Sequence, residues 1–125
     1  MIHIHSDKTN STLTNVQEGD AQQNAVDLRL GKVFKINRKV FTIDEDQKKH
    51  RGSEEIFPEE DGYFRLEPGS YEVIMENKVS IAEGEAGFVI TRSTLNRNGC
   101  FITSGNYDSG YGIQDPEVMA GVFHV

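Results

Sequence analysis

Tyr63-Phe-Arg-Leu-Glu-Pro-Gly-Ser-Tyr-Glu-Val-Ile-Met-Glu76 decides the fold class. Tyr63–Leu66 leads into Glu67-Pro68-Gly69, where Pro and Gly stand in sensible turn positions. Tyr71–Glu76 then alternates apolar and polar, the period of a half-buried strand. Working outward, the same pattern of short runs separated by Gly, Pro, Asn or Asp predicts strands at Met1–His5, Val26–Leu30, Val33–Ile36, Val40–Ile43, Gly87–Thr91, Cys100–Thr103 and Val118–Val125. One short helix fits Ser93–Asn98, with Gly99 at the left-handed position past its end and Thr91 or Ser93 as its cap. The reading is all-β with one short helix.

A length of 125 residues predicts a single domain, 1–125, able to bury a core without staples. Within it, 1–23 reads as an N-terminal strand followed by a polar arm. Residues 44–61, dense in charge and poor in aliphatics, read as a surface excursion. Thirteen Lys and Arg stand against twenty Asp and Glu, a net charge of −7. That balance argues against a sequence-independent grip on duplex nucleic acid, which needs clustered cations. No apolar run approaches the roughly 20 residues of a membrane helix, and the N-terminus lacks signal-peptide regions, so a cytoplasmic protein is expected. A lone cysteine, Cys100, rules out an intrachain disulfide and reads as packing rather than a nucleophile, since no base stands near it. His3 and His5 share a face of the first expected strand, a metal-compatible spacing better read as a solvated face without a third ligand. Tyr63, Phe64, Phe88, Phe101 and Phe123 read as core or interface rather than as a stacking platform for nucleic acid.

Two segments carry chemistry. Thr91-Arg92-Ser93-Thr94 sets a guanidinium and hydroxyls at a helix start, a group of donors suited to phosphate oxygens. Gly105-Asn-Tyr-Asp-Ser-Gly-Tyr111 describes a tight hairpin in which Asp108 could accept from a sugar hydroxyl or orient water. Each alone is equally an ordinary turn. With Asn24-Ala-Val-Asp-Leu-Arg-Leu-Gly31 they form a set in fixed order.

That set resembles the trimeric dUTPase and dCTP deaminase superfamily. Val26–Gly31 is similar to its first motif, Arg92-Ser-Thr-Leu95 with Asn98-Gly99 to its second, and Gly105–Tyr111 to its third. The resemblance implies a distorted β-barrel or jelly-roll subunit in a homotrimer with nucleotide sites at subunit boundaries. It implies conversion of a deoxyribonucleoside triphosphate, dUTP above all, to the monophosphate and pyrophosphate with Mg²⁺. Asp108 and Asp27 would then be the catalytic pair. Asp108 would hold the 3′-hydroxyl and the attacking water, and Asp27 would support the site and, through water, the Mg²⁺ bridging the phosphates. Arg92, Ser93, Thr94, Gly105, Tyr107 and Tyr111 would bind substrate, with Arg92 and Ser93 on the triphosphate and Tyr111 beneath the sugar.

Two other readings stand beside this one. The dUTPase motifs that normally follow the third are not found before Val125, which favours a catalytically inactive trimer serving a virus capsid or sensing nucleotides. The first motif is written as dCTP deaminases write it, but the glutamate those enzymes use has no counterpart. Glu117 is placed in the loop Gly112–Ala120, and Ile102 stands near the position of a polar pyrimidine-pairing residue. An apolar Val118–Val125 edge independently predicts a homo-oligomer, in which His124 would face a neighbour.

Overall fold

The structure, a computed structural model, describes residues 2–125. Its strands are β1 (Thr12–Leu13), β2 (Leu30–Ile36), β3 (Thr42–Ile43), β4 (Lys48–Lys49), β5 (Ser53–Ile56) and β6 (Ser70–Ser80). The helix α1 (Ser93–Arg97) precedes β7 (Phe101–Thr103) and β8 (Glu117–His124). The chain is therefore all-β with one short helix, as the alternation predicts. β5, β2, β6, β8 and β7 lie side by side in that order, each pair antiparallel, and β1 pairs with the far end of β6. β3 and β4 form a separate hairpin. No helix among the described residues is long and apolar enough to cross a membrane.

β6 organises the sheet because its odd-numbered positions face inward along its whole length. Tyr71 and Val73 are buried with Val33 in one cluster, on which Ile56, Phe64, Leu66, Ile102 and Phe123 pack. Val79 and Ile81 are buried with Tyr107 and Met119 in a second, on which Leu13, Leu28, Val89 and Tyr111 pack. Met75 touches both clusters. Between them the inward position is Asn77, with no exposed surface. The β6–β8 register shifts between Ile74 and Lys78, so β6 carries its irregularity where this amide replaces an apolar side chain. Asn77 settles its own polarity by accepting from the Arg29 N–H at 2.8 Å and donating to the Thr14 carbonyl at 2.7 Å.

Several expected elements take another form. His3 and His5 lie in irregular chain, not a strand, with His5 Nδ1 against Asp7 at 2.5 Å; Met1 lies outside the described residues. Val26–Leu30 yields only a bridge from Val26 to Ala21 before β2 begins. Phe64 and Leu66 do pack inward, but Tyr63–Leu66 has no ladder partner and closes a turn on Glu59 instead. Gly87–Thr91 runs beside β7 without becoming a strand because hydroxyls replace carbonyls as acceptors. Thr91 Oγ1 takes the Ile102 N–H at 2.6 Å, and Ser104 Oγ takes the Val89 N–H at 2.8 Å. The 44–61 excursion contains β4 and β5, and β5 pairs with β2 from Val33–Ile56 to Ile36–Ser53. The 1–23 arm supplies β1. Phe64 and Phe123 line the core, whereas Tyr63, Phe88 and Phe101 are exposed. His124 stacks on Phe101 with ring centres 4.5 Å apart.

Candidate functional site

The first segment is shaped by Gly31. Leu30 pairs with Met75 and Lys32 with Ile74, so Gly31 is an extra residue in β2, a bulge. A Cβ there would stand 2.8 Å from the Ile74 carbonyl oxygen, a distance only glycine permits. The bulge lets the preceding chain turn back over β6, where the Glu76 N–H reaches the Arg29 carbonyl at 2.8 Å. Leu28 then points into the second cluster and Asp27 stands half-buried beside it.

Arg92 supplies the partner. Its Nη1 meets Asp27 Oδ2 at 2.8 Å although its side chain is 73% exposed. Residues 65 apart in sequence are thus joined by a charge-assisted bond at the surface. Arg92, rather than Thr91 or Ser93, occupies the N-cap position of α1, and no side chain caps that helix. The hydroxyl of Thr91 is committed to β7, as described above. Ser93 and Thr94 open the first turn, and their N–H groups precede that of Leu95, the first to reach the Arg92 carbonyl. Gly99 closes the turn at φ +75°, as its position predicts, and Cys100 Sγ donates to the Asn98 carbonyl at 3.7 Å.

The third segment is a turn docked on the end of β6, not a hairpin between two strands. The Tyr111 N–H closes it on the Asp108 carbonyl at 3.0 Å, with Gly110 at φ +88°. Gly110 N–H and Tyr111 carbonyl bond the two backbone groups of Ile81, and Ser109 Oγ accepts from the Gly84 N–H. Asp108 is exposed on this anchored turn, with Oδ1 accepting from Asn106 Nδ2 at 2.7 Å. Tyr107 departs from its expected role. Its ring is buried, its hydroxyl bonds both the N–H and the carbonyl of Ala120 at 2.8 Å, and its backbone bridges Gly87. It is a core pillar with nothing left for a ligand.

Tyr111 lies 5.3 Å from Tyr107 between ring centres, half-buried, and donates to the Val118 carbonyl at 2.7 Å. Burial, then the nearby Glu117 carboxylate, pushes its hydroxyl pKa up, so it stays a neutral donor. Glu117 itself is the first residue of β8, not part of the loop before it. Gly105 stands on the wall of an open groove of about 340 Å³ with Glu72, Thr103, Ser104, Ala120, Gly121 and Val122.

The structure therefore brings Asp27 and Arg92 into direct contact and sets the first and third segments on one core cluster, through Leu28, Tyr107 and Tyr111, with Val89, just before the second segment, packed on the same cluster. Among the described residues no hydrogen bond or ion pair joins Asp108 to Arg92, Ser93 or Asp27 within one chain. Nor do three His, Cys, Asp or Glu side chains gather where they could cage a metal ion. What the chain offers instead is an exposed arginine fork followed by the hydroxyl residues Ser93 and Thr94, and an exposed carboxylate, Asp108, on an anchored turn. Such a pair can hold an anionic tail and a hydroxyl-bearing body.

Four residues of this region escape sequence reasoning. Asp20 is buried, takes the Gln17 N–H at 2.9 Å and Arg29 Nη2 at 2.8 Å, and has its carboxyl held below the usual range by the Gln17 N–H first and Arg29 after it. Gln22 reaches Asp27. Asn77 could have been seen, since Val79 and Ile81 continue the alternation across it. Glu85 has no signal at all. It gathers the hydroxyls of Ser11 and Thr9 and the N–H groups of Asn10 and Ser11, which draw its carboxyl from an ordinary 4.5 down to about 2.

Comparison with known proteins places the chain in a family. The model of the dCTP deaminase-like family matches residues 2–121. A deoxyuridine 5′-triphosphate nucleotidohydrolase of Methanocaldococcus jannaschii is 33% identical over 123 residues, covering 97% of this chain and 78% of the relative. A probable deoxyuridine 5′-triphosphate nucleotidohydrolase of Aeropyrum pernix is 34% identical over 93 residues, 74% of this chain and 57% of that protein. Another so named, from Halobacterium salinarum, is 31% identical over 101 residues, 77% of this chain and 61% of its own length. No solved structure matches. With a family match from Ile2 to Gly121 that takes in the Asp27–Arg92 pair and the Asp108 turn alike, the chain belongs to the dCTP deaminase-like family.

Proposed function

We propose that this protein is a dUTP nucleotidohydrolase, releasing dUMP and pyrophosphate, and that it works as a homotrimer. The observation that carries the reading is the 2.8 Å bond between Asp27 and Arg92, which orients an otherwise exposed guanidinium toward solvent-borne anions. Arg92, Ser93 and Thr94 bind the triphosphate. Asp108 accepts from the 3′-hydroxyl and from a water that attacks the α-phosphorus, taking up its proton as the new P–O bond forms and the bond to the bridging oxygen breaks. Pyrophosphate leaves with that bridging oxygen. Tyr111 packs beneath the deoxyribose, and the groove beside Gly105 receives the base. Positioning and charge neutralisation account for most of the rate in such transfers. Mg²⁺ suits this donor set as an ion that would arrive with the phosphates and retain water, with Asp27 as an outer partner, since the described residues form no cage of their own.

Asp108 stands unbonded to the arginine within one chain, and a trimer lets a neighbour's turn complete the site. The names of the archaeal relatives favour dUTP as substrate. The description of the matching family favours a second reading, deamination of dCTP in the same pocket. The purified chain with Mg²⁺ and either dUTP or dCTP, followed for pyrophosphate and for ammonia, separates them. Pyrophosphate from dUTP, abolished in Asp108→Ala, is the expected result. Ammonia from dCTP would replace the reading with deamination, and no turnover of either would favour a binding or assembly role.

A further inference from the structure

We infer that Asp20 and Gln22 are positioning residues of the phosphate end of the site, setting the Arg92 guanidinium through Asp27. The inference rests on the assignment of Arg92 to the triphosphate. Asp20 and Asp27 are the two ends of a closed ring. The Asp27 N–H donates to the Asp20 carbonyl at 2.8 Å, Ala21 bridges Val26, and the Gln22 N–H closes the tip on the Ala25 carbonyl at 2.8 Å. The ring is tied at its tip to Ser6, whose N–H donates to the Gln23 carbonyl at 2.7 Å, and to the core at the Asp20 side. There the buried Asp20 carboxylate grips Arg29, whose own N–H is held by Asn77 in the middle of β6. A line of bonds thus runs from the core through Arg29 and Asp20 to the backbone of Asp27.

Gln22 then fixes the side chain. Its Nε2 donates to the Gly19 carbonyl at 3.0 Å and to Asp27 Oδ2 at 3.3 Å, the same oxygen that receives Arg92. This amide is exposed, so its contribution falls on the direction of one carboxylate rather than on the core. An exposed arginine would otherwise spread over many rotamers, and each must be given up when a phosphate binds. A carboxylate locked by Gln22 and carried on the Asp20 ring presents the fork already turned.

The test uses the full chain with Mg²⁺ and three calorimetric probes: a non-hydrolysable α,β-imido analogue of dUTP, inorganic tripolyphosphate, and deoxyuridine. Gln22→Ala should weaken the two triphosphate probes about fivefold to tenfold while deoxyuridine binds as before, and KM for dUTP should rise by the same factor with kcat unchanged. Asp20→Asn, which turns an amide N–H₂ toward either Arg29 or the Gln17 N–H, should do the same more strongly. In an Arg92→Lys background Gln22→Ala should have no further effect. Equal weakening of deoxyuridine, or wild-type binding of triphosphate by folded variants, would overturn the inference. If the wild type binds none of the probes, the assignment of the site fails instead. Positioning is then read from the Arg92 side-chain N–H resonances, slow to exchange in the wild type and averaged in Gln22→Ala; resonances that do not change would overturn it.

Discussion

Two polar stretches look alike in the sequence and behave differently in the fold. Asn10–Gln23 and Asp44–Asp61 are both polar and poor in aliphatic residues, the first read as an arm and the second as a surface excursion. The first is bound to distant parts of the chain at nearly every turn. Glu85 holds Thr9, Asn10 and Ser11; Asn77 holds Thr14; Ser11 Oγ takes the Ala82 N–H; and Arg29 holds Asp20. The second, outside β5, bonds mostly to itself and its neighbours. Asp44 caps its own turn, Arg51 reaches the Lys39 carbonyl, and Glu59 and Asp61 share Arg65. Charge alone cannot distinguish them. The difference lies in whether a buried or anchored acceptor elsewhere in the chain is waiting for the donors a polar segment carries.

The largest effect should come from breaking the deepest of those anchors. Asn77→Leu leaves the Arg29 N–H and the Thr14 carbonyl without the amide that partners them in part-buried bonds, and should destabilise the fold by about 2–4 kcal/mol in chemical denaturation. Gly31→Ala follows, because the new methyl would strike the Ile74 carbonyl; about 1–3 kcal/mol is expected, with weaker nucleotide binding as the Asp27 segment lifts from β6.

Glu85 gives an effect whose pH dependence is confined to acid. Its carboxyl is drawn to about 2 in the fold, below its ordinary 4.5, so its contribution is complete above that ordinary value and fades as pH falls toward 2. Glu85→Gln should flatten the stability curve across that window, seen by following thermal unfolding against pH. The smallest effect belongs to the other stretch. Ile43→Thr, at an exposed position of the separate hairpin, should change stability by less than about 0.5 kcal/mol. A larger loss would mean that the hairpin is anchored after all, and would erase the contrast.

What the sequence made legible follows the same division. β2, β6, β8 and α1 are readable because period and punctuation are local properties, and Gly99 ends the helix where its conformational freedom is required. The runs at Tyr63–Leu66 and Gly87–Thr91 are apolar enough to be strands, but a strand also needs a free neighbouring edge. Beside Gly87–Thr91 the hydroxyls of Thr91 and Ser104 had already taken the N–H groups in question. The candidate site residues Asp27, Arg92 and Asp108 are legible as a resemblance in short motifs. Tyr107 sits in such a motif for packing reasons, and its burial is a property of the β8 backbone it meets. Asp20, Gln22 and Glu85 are illegible because their partners lie across turns or across most of the chain, and no spacing announces them.

The central claim is that the Asp27–Arg92 pair and the Asp108 turn serve one nucleotide. A crystal structure of the chain with Mg²⁺ and the α,β-imido analogue of dUTP tests it most directly. The account predicts phosphate oxygens within hydrogen-bond distance of Arg92 and the 3′-hydroxyl of the same molecule on Asp108, from the same or a neighbouring protomer. Nucleotide bound with Arg92 and Asp108 on opposite sides of the assembly, or touching neither, would contradict it.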